Sequence, residues 1–215
     1  MKSWKFLAAT VFCATGALVF TSCSDDDDDP QPLSVPAAVR TSLEGKYGPV
    51  AQVEWEREGA YFVAEFRKDG REHEVWFDRG SSSWIMSEVD CGRSLANLPE
   101  AVRVGFEATA YAQAPWVVED IDYVDRNGYA AAYRIEVESY DDREADLLFD
   151  ENGTLVREWS DGGHHSGPGG GLLPAAVPET ITAFLAGRYP EARIVELDRE
   201  DGRYYEVDLV QGLRS

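Results

Sequence analysis

The sequence predicts an α+β fold made of repeated units, each with one helix followed by an antiparallel β-meander, the helix packing on one sheet face. Two observations lead to this prediction. Segments that begin with proline and carry an apolar residue at every fourth position occur three times, a spacing that gives a helix one apolar side. After each segment, apolar and polar residues alternate between turn residues, as in strands with one buried face.

The three predicted helices begin at Val35-Pro36, Leu98-Pro99 and Val177-Pro178. Proline suits the first turn of a helix because its missing N–H would have no partner there. The apolar positions, helix by helix, are Val35, Val39, Leu43 and Tyr47, then Leu98, Val102, Phe106 and Ala110, and finally Val177, Ile181, Leu185 and Tyr189. We therefore expect one side of each helix to lie on the strands that follow it.

The strands of the first unit are predicted by alternation and by turns. The core-facing residues, strand by strand, are Val53 and Trp55, then Phe62, Ala64 and Phe66, then His73, Val75 and Phe77, with a fourth strand over 83–87. Asp69-Gly70 between the second and third strands is a hairpin signal. The second unit repeats this pattern around turns at Asn127-Gly128 and Asn152-Gly153.

The chain divides into six predicted parts. They are a lipoprotein signal peptide (1–22), an acidic tether (23–34), unit 1 (35–90), unit 2 (98–160), a Gly/His-rich linker (161–172) and a truncated unit 3 (173–215). Because glycine-rich linkers are flexible, we expect units 1 and 2 to form one body and unit 3 a loosely joined second. Unit 3 has only two predicted strands, so it leans on unit 2, obtains strands elsewhere, or offers its edge for docking.

The leader indicates export. Lys2 and Lys5 precede an uncharged apolar run that suits a signal peptide and is short for a membrane span. The residues ending at Cys23 resemble a bacterial lipobox, which implies that Cys23 is lipidated, and an ordinary secretory signal with an incidental cysteine is the alternative. The acidic run 25–29 resembles the surface-export signal of Bacteroidetes lipoproteins, which implies an outer-membrane lipoprotein of the cell envelope that is exposed at the surface.

The formal net charge of −20 argues against nucleic acid as a partner, because phosphates would be repelled. Solubility alone explains such acidity, and a basic partner or Ca²⁺ is the alternative. Of the three cysteines, Cys13 lies in the leader and Cys23 at its end, and Cys91 is predicted to be a buried or partly buried free thiol.

Several motifs of unit 1 resemble the PepSY-like family, which is described as β-lactamase-inhibitor-like. They are Val35-Pro36, Lys46-Tyr47, Glu54-Trp55-Glu56, Gly59, Tyr61, Glu65-Phe66, Asp69-Gly70, Glu74-Val75, Phe77-Asp78 and Trp84. The resemblance is weaker in unit 2 and truncated in unit 3. It implies an α+β fold, a secreted or periplasmic location and inhibitor-like protein binding, and it supplies no catalytic residues and no cofactor.

Candidate sites are few. Trp76 has the opposite phase to Val75 and Phe77, which predicts an exposed aromatic beside Glu72 and Glu74. With Trp84 these residues form the candidate protein-binding surface, and packing of Trp76 against a neighbouring unit is the alternative. His164 and His165 are weak metal candidates, because adjacent histidines in a glycine-rich linker lack a fixed geometry and a third ligand.

The sequence therefore predicts a non-enzymatic, lipid-anchored binding module of the cell envelope, inhibitor-like towards a secreted or envelope protein. The alternative is an envelope sensor or scavenger that takes a small ligand or cation through its acidic surface. Its expected partners are the membrane, through the lipid anchor, and a protein.

Overall fold

The computed structural model describes residues 33–160, 168–200 and 204–211. They form an α+β structure with an eight-stranded antiparallel sheet, a two-stranded sheet and three α-helices. The helices are α1 (Ala37–Tyr47), α2 (Glu100–Glu107) and α3 (Glu179–Arg188). The strands are β1 (Glu54–Glu58), β2 (Tyr61–Lys68), β3 (Arg71–Asp78), β4 (Trp84–Asp90), β5 (Trp116–Arg126), β6 (Ala132–Ser139), β7 (Glu144–Asp150), β8 (Leu155–Ser160), β9 (Ala192–Glu200) and β10 (Tyr204–Gln211).

The large sheet is a continuous meander. Strands β1 to β8 follow one another in space as they do along the chain, and each pairs antiparallel with the next. The junction between its halves is the pairing of β4 with β5, in register from Met86 opposite Arg126 to Asp90 opposite Asp122. Strands β9 and β10 pair with each other and form the separate small sheet.

Proline precedes each of the three helices. Pro36, Pro99 and Pro178 occupy the N-cap positions with φ of −56°, −55° and −58°. These values match the angle that the pyrrolidine ring imposes, so the residue favours the entry into the helix. Gly48 caps the C-terminus of α1. Its φ of 71° is costly for other residues, and its N–H donates a hydrogen bond to the carbonyl of Glu44 at 2.8 Å.

One face of the large sheet packs under α1 and α2, and we call it the helix-covered face. Val39 and Leu43 of α1 contact a buried cluster that includes Phe62, Val75 and Phe77. Helix α2 forms the second cluster of this face. Its buried members from the helix are Val102 and Phe106, and those from the strands include Ile121, Ile135, Leu147 and Phe149. Two separate cores therefore lie side by side on the same face.

Helix α2 lies unusually close to the β7–β8 turn. A Cβ atom added to Gly105 would be 2.0 Å from the carbonyl oxygen of Gly153, and one added to Gly153 would be 2.0 Å from the carbonyl oxygen of Ala101. Both glycines are therefore required by the close approach of the two backbones.

Among the described residues, no α-helix packs on the opposite side of the sheet in this way, and we call that side the helix-free face. Its apolar patch consists of Val63, Trp76, Met86, Val124, Ala132 and Leu148. Leu172 packs on this patch and is itself buried. The predicted linker 161–172 is described only from residue 168 onwards, where Pro168–Gly171 forms a short 3-10 helix before Leu172.

The C-terminal segment, residues 168–200 and 204–211, includes the end of the predicted linker, and we call it the third unit from here on. It is less closely packed than the first two helices and their strands. No residue of α3 is buried, and Phe184 is 62% exposed. Among the helices in the described ranges, none combines the length and the hydropathy needed to cross a bilayer.

Candidate partner-binding face

Strand β3 divides its side chains between the two faces of the sheet. Val75 and Phe77 contact the α1 cluster, and Trp76 between them points to the helix-free face. Glu72 and Glu74 share that face, because side chains two positions apart on a strand lie on the same side. The sequence therefore identified correctly which residues of β3 share a side.

The prediction that Trp76 is exposed is wrong. Trp76 is 1% exposed and packs in the apolar patch, where Leu172 lies over it. Its indole Nε1 donates a hydrogen bond to Glu58 at 3.3 Å. The covering residue Leu172 is the last residue of the predicted linker 161–172.

The other three predicted residues do not form one surface. Glu72 is exposed on the helix-free face and lies 3.7 Å from Arg67 in an ion pair. Glu74 is half-buried on the same face. In the strand register it lies opposite Glu65 of β2 and Glu88 of β4. Trp84 packs instead with the α1 cluster on the helix-covered face, and the ammonium of Lys46 lies 3.4 Å from its ring centroid. Trp84 is thus separated from the two glutamates by the sheet.

The remaining predicted sites, Cys23, His164 and His165, lie outside the described residues. Within residues 33–160, 168–200 and 204–211, no group of three or more His, Cys, Asp or Glu side chains is arranged to hold a metal ion. Cys91 is buried and free, as the sequence predicted.

The helix-free face carries a row of carboxylates beside its apolar patch, and we call this row the acidic strip. Its members, from β2 to β7, are Glu65, Glu74, Glu88, Asp122, Asp120, Glu136 and Asp146. Strand register places them together, since Glu65 pairs with Glu74, Glu74 with Glu88, Asp120 with Glu136, and Glu136 with Asp146. All seven are half-buried or buried.

Arg134 of β6 lies within the acidic strip. Its guanidinium is bonded to Asp122 through Nε at 3.1 Å and Nη2 at 2.5 Å, and Nη2 is 4.0 Å from Glu88. Burial opposes the charge of Arg134, but Glu88, Asp122 and Asp146 outweigh that effect and raise its pKa. The positive charge of Arg134 therefore stabilises several carboxylates of the acidic strip.

Several carboxylates of the acidic strip are destabilised as anions. Burial, and then the charge of Asp146, raises the pKa of Glu136. Burial, and then Asp122, raises the pKa of Asp120, and burial followed by Glu56 and Glu54 raises the pKa of Glu65. Anions held in these surroundings are stabilised by any positive group that approaches them.

Comparison with known proteins identifies the family of this chain. The sequence profile described as β-lactamase-inhibitor-like, PepSY-like matches residues 60–157 and 171–214. The chain belongs to the PepSY-like family. No curated protein matches this chain.

Solved structures agree with the PepSY-like assignment. A BLIP-like protein from Bacteroides fragilis is 34% identical, with a TM-score of 0.56, over 63% of this chain and 92% of its own. A DUF2874 family protein from Bacteroides uniformis is 26% identical with a TM-score of 0.55, over 59% of this chain and 90% of its own. A protein from Bacteroides eggerthii that is described as periplasmic is 26% identical with a TM-score of 0.54, over 59% and 89%.

Sequence reasoning missed Arg126 and Arg134 of this PepSY-like chain. Both lie on the helix-free face, where Arg126 is 1% exposed and bonded to Glu196 of β9. For Arg134 the available signal was its phase, because it lies between Tyr133 and Ile135, which pack with the α2 cluster. Phase alone could not show that β9 would bury Arg126, since that contact joins residues 70 positions apart.

Proposed function

We propose that this chain is a non-enzymatic binding module of the cell envelope that holds or inhibits a secreted or envelope protein through its helix-free face. The observation that carries the proposal is the acidic strip, in which seven half-buried or buried carboxylates lie along one face around the guanidinium of Arg134. The description of the family as β-lactamase-inhibitor-like, and of one relative as BLIP-like, supports an inhibitor-like role.

The partner surface that fits the acidic strip is basic. Carboxylates whose pKa is raised by burial gain from a cation that replaces lost water. Complementary charge of this kind speeds association and fixes the register of two proteins more than it adds affinity. Binding should therefore weaken as salt rises, because the Debye length shortens to about 8 Å at physiological ionic strength.

Anchoring is the second part of the proposal. We propose that Cys23 carries lipid and that 23–34 forms a tether at the outer membrane, exposed at the cell surface. The apolar leader, the small residues before Cys23 and the acidic run after it support this proposal. Cys23→Ala should release the protein from the membrane fraction, whereas Cys91→Ala should not. Retention of the Cys23→Ala protein in that fraction would contradict the anchor.

We also propose that the chain contains three copies of one helix-and-meander unit, the third truncated. The equivalent proline N-caps before α1, α2 and α3 support common ancestry, as does the order of one helix followed by antiparallel strands. The two full units would then supply the eight strands of the large sheet.

Crosslinking capture from intact cells tests the proposed binding. Glu65→Gln combined with Glu136→Gln removes two charges from the acidic strip, and we expect about tenfold weaker capture of the partner. Because burial raises the pKa of both carboxyls, the substitutions should not weaken the fold, so lost capture would not reflect unfolding. A purified β-lactamase is the first defined enzyme to test in parallel.

The matched control is Glu44→Gln combined with Glu100→Gln, which removes the same charge from exposed positions on α1 and α2. Equal capture by both double variants would contradict binding through the acidic strip. A Ca²⁺-dependent rise in thermal stability, lost in the strip variant alone, would instead favour the sensor or scavenger alternative.

A further inference from the structure

The third unit covers the apolar patch of the helix-free face through Leu172 and the partly buried Leu173. Leu172 is 1% exposed and contacts the cluster that contains Trp76 and Met86. Gly169, with φ of 62°, fits so closely that an added Cβ would be 2.9 Å from Cε of Met86. The backbone of 168–173 therefore follows the contour of the patch.

A buried charge pair fixes β9 beside the patch. The guanidinium of Arg126 donates to Oε2 of Glu196 at 2.9 Å and also to the carbonyl of Val195. Arg157 of β8 reaches the same strand, at 3.5 Å from Glu196 and 3.1 Å from Asp198. Arg126 and Arg157 thus belong to the large sheet, and their carboxylate partners Glu196 and Asp198 belong to the third unit.

Within the described residues, the third unit also forms an ion pair from Arg193 to Glu151 at 2.8 Å and accepts a hydrogen bond from the N–H of Ala130 at the carbonyl of Ile194. Tyr129 donates to the carbonyl of Ala175 at 2.9 Å, and a small apolar cluster joins Val195 and Val210 to Ala130. Helix α3 buries no residue, and Tyr204 of β10 is 59% exposed. Since a buried ion pair adds little net stability, the apolar contacts of Leu172 and Leu173 contribute most of the attachment to the patch.

We propose that the third unit is a releasable cover, an intramolecular competitor for the protein that the helix-free face binds. This inference rests on the proposed function and concerns the regulation of the same face. A partner that replaces the cover must supply an aliphatic group to the apolar patch and an acceptor to Arg126, as Leu172 and Glu196 do. Affinity then scales with the fraction of molecules in which the cover is open.

The rate at which Met86 is oxidised measures how often the cover opens. The sequence has two methionines, Met1 in the leader and Met86 beneath the cover. Met86 is fully buried, so peroxide should oxidise it to the sulfoxide chiefly when the cover opens. The rate, followed by mass spectrometry of the peptide that contains Met86, measures opening without any partner.

The test combines Leu172→Ala and Glu196→Gln in the full chain. We expect Met86 to oxidise about tenfold faster and a purified β-lactamase, the binding probe, to bind tighter by the same factor. The controls are Leu155→Ala, at an exposed leucine of β8, and Glu179→Gln, at an exposed carboxylate of α3. Neither control should change oxidation or binding. The single substitutions give intermediate cases should the double variant unfold.

The outcomes separate the two proposals. Faster oxidation with unchanged binding of the β-lactamase overturns the competition and leaves the binding function standing. Unchanged oxidation in every variant shows that the cover does not open and overturns the inference directly. If neither the wild type nor an opened variant binds the β-lactamase, the inhibitor-like function towards this enzyme fails and the competition fails with it.

Discussion

The two faces of the large sheet are closed in different ways. The helix-covered face packs under α1 and α2, each of which immediately precedes the strands that it covers. The helix-free face has a patch covered by a unit distant in sequence, followed by a strip of half-buried carboxylates. The comparison indicates that helices adjacent in sequence close one face, whereas contacts between distant parts of the chain close the apolar patch of the other.

Adjacent residues of β3 give the largest test of this comparison. Phe77→Ala removes a buried ring from the α1 cluster, and Trp76→Ala removes one from the apolar patch. We expect each to lower the free energy of unfolding by about 3–5 kcal/mol. Only Trp76→Ala should also speed oxidation of Met86 under native conditions. Selective oxidation in the Phe77→Ala protein would show that the two faces are not independent.

The contact of α2 with the β7–β8 turn gives the next largest effect. Gly105→Ala forces a backbone contact at 2.0 Å, and we expect a loss of about 2–3 kcal/mol in urea unfolding. Gly45→Ala in α1 is the matched control, because nothing lies within 4 Å of its added Cβ. Alanine there should stabilise the helix by up to about 1 kcal/mol. Equal effects of the two substitutions would contradict the close packing of α2.

His73 makes the helix-covered face sensitive to acid. Its ring stacks on Phe66 at 5.1 Å, and burial lowers its pKa. The unfolded chain then binds the proton more readily, so stability falls as pH drops below about 6.5. His73→Phe should remove this loss, which we expect to be within about 1 kcal/mol. Thermal melts at pH 7 and 5 measure it, and an unchanged pH dependence would contradict the prediction.

Glu136 should have the opposite pH dependence on the helix-free face. Because burial raises its pKa, the folded chain binds this proton more readily, and stability rises as pH falls towards the folded value. Glu136→Gln should therefore stabilise the protein at pH 7 by about 0.5 kcal/mol, with the gain disappearing in acid. Glu100→Gln, at an exposed site on α2, serves as the control for charge alone.

Local patterns predicted much of the fold because strands and turns depend on neighbouring residues. Phe62, Ala64 and Phe66 share the helix-covered face as expected, and Asp69-Gly70 forms the turn between β2 and β3. The predicted strand over 83–87 corresponds to β4, which extends to Asp90. Period-two alternation was sufficient for these assignments.

The candidate site was harder to predict because it depends on contacts between distant parts of the chain. Alternation placed Trp76 on the same side as Glu72, but it carries no information on what covers that side. Leu172 and Glu196 provide the cover, and nothing in their own neighbourhoods indicates which strands they contact. The strip around Arg134 likewise required the β4–β5 register, which joins the two halves of the sheet.

The continuous meander has a consequence for the order of folding. Each strand from β1 to β8 pairs with its sequence neighbour, so most of these contacts close short loops and carry a low entropic cost. The bonds of Arg126 to Glu196 and Val195 span 70 and 69 positions and require the sheet to exist first. During folding the eight strands would therefore pair before the third unit packs on them. The helix-free face would be exposed to other proteins during that interval.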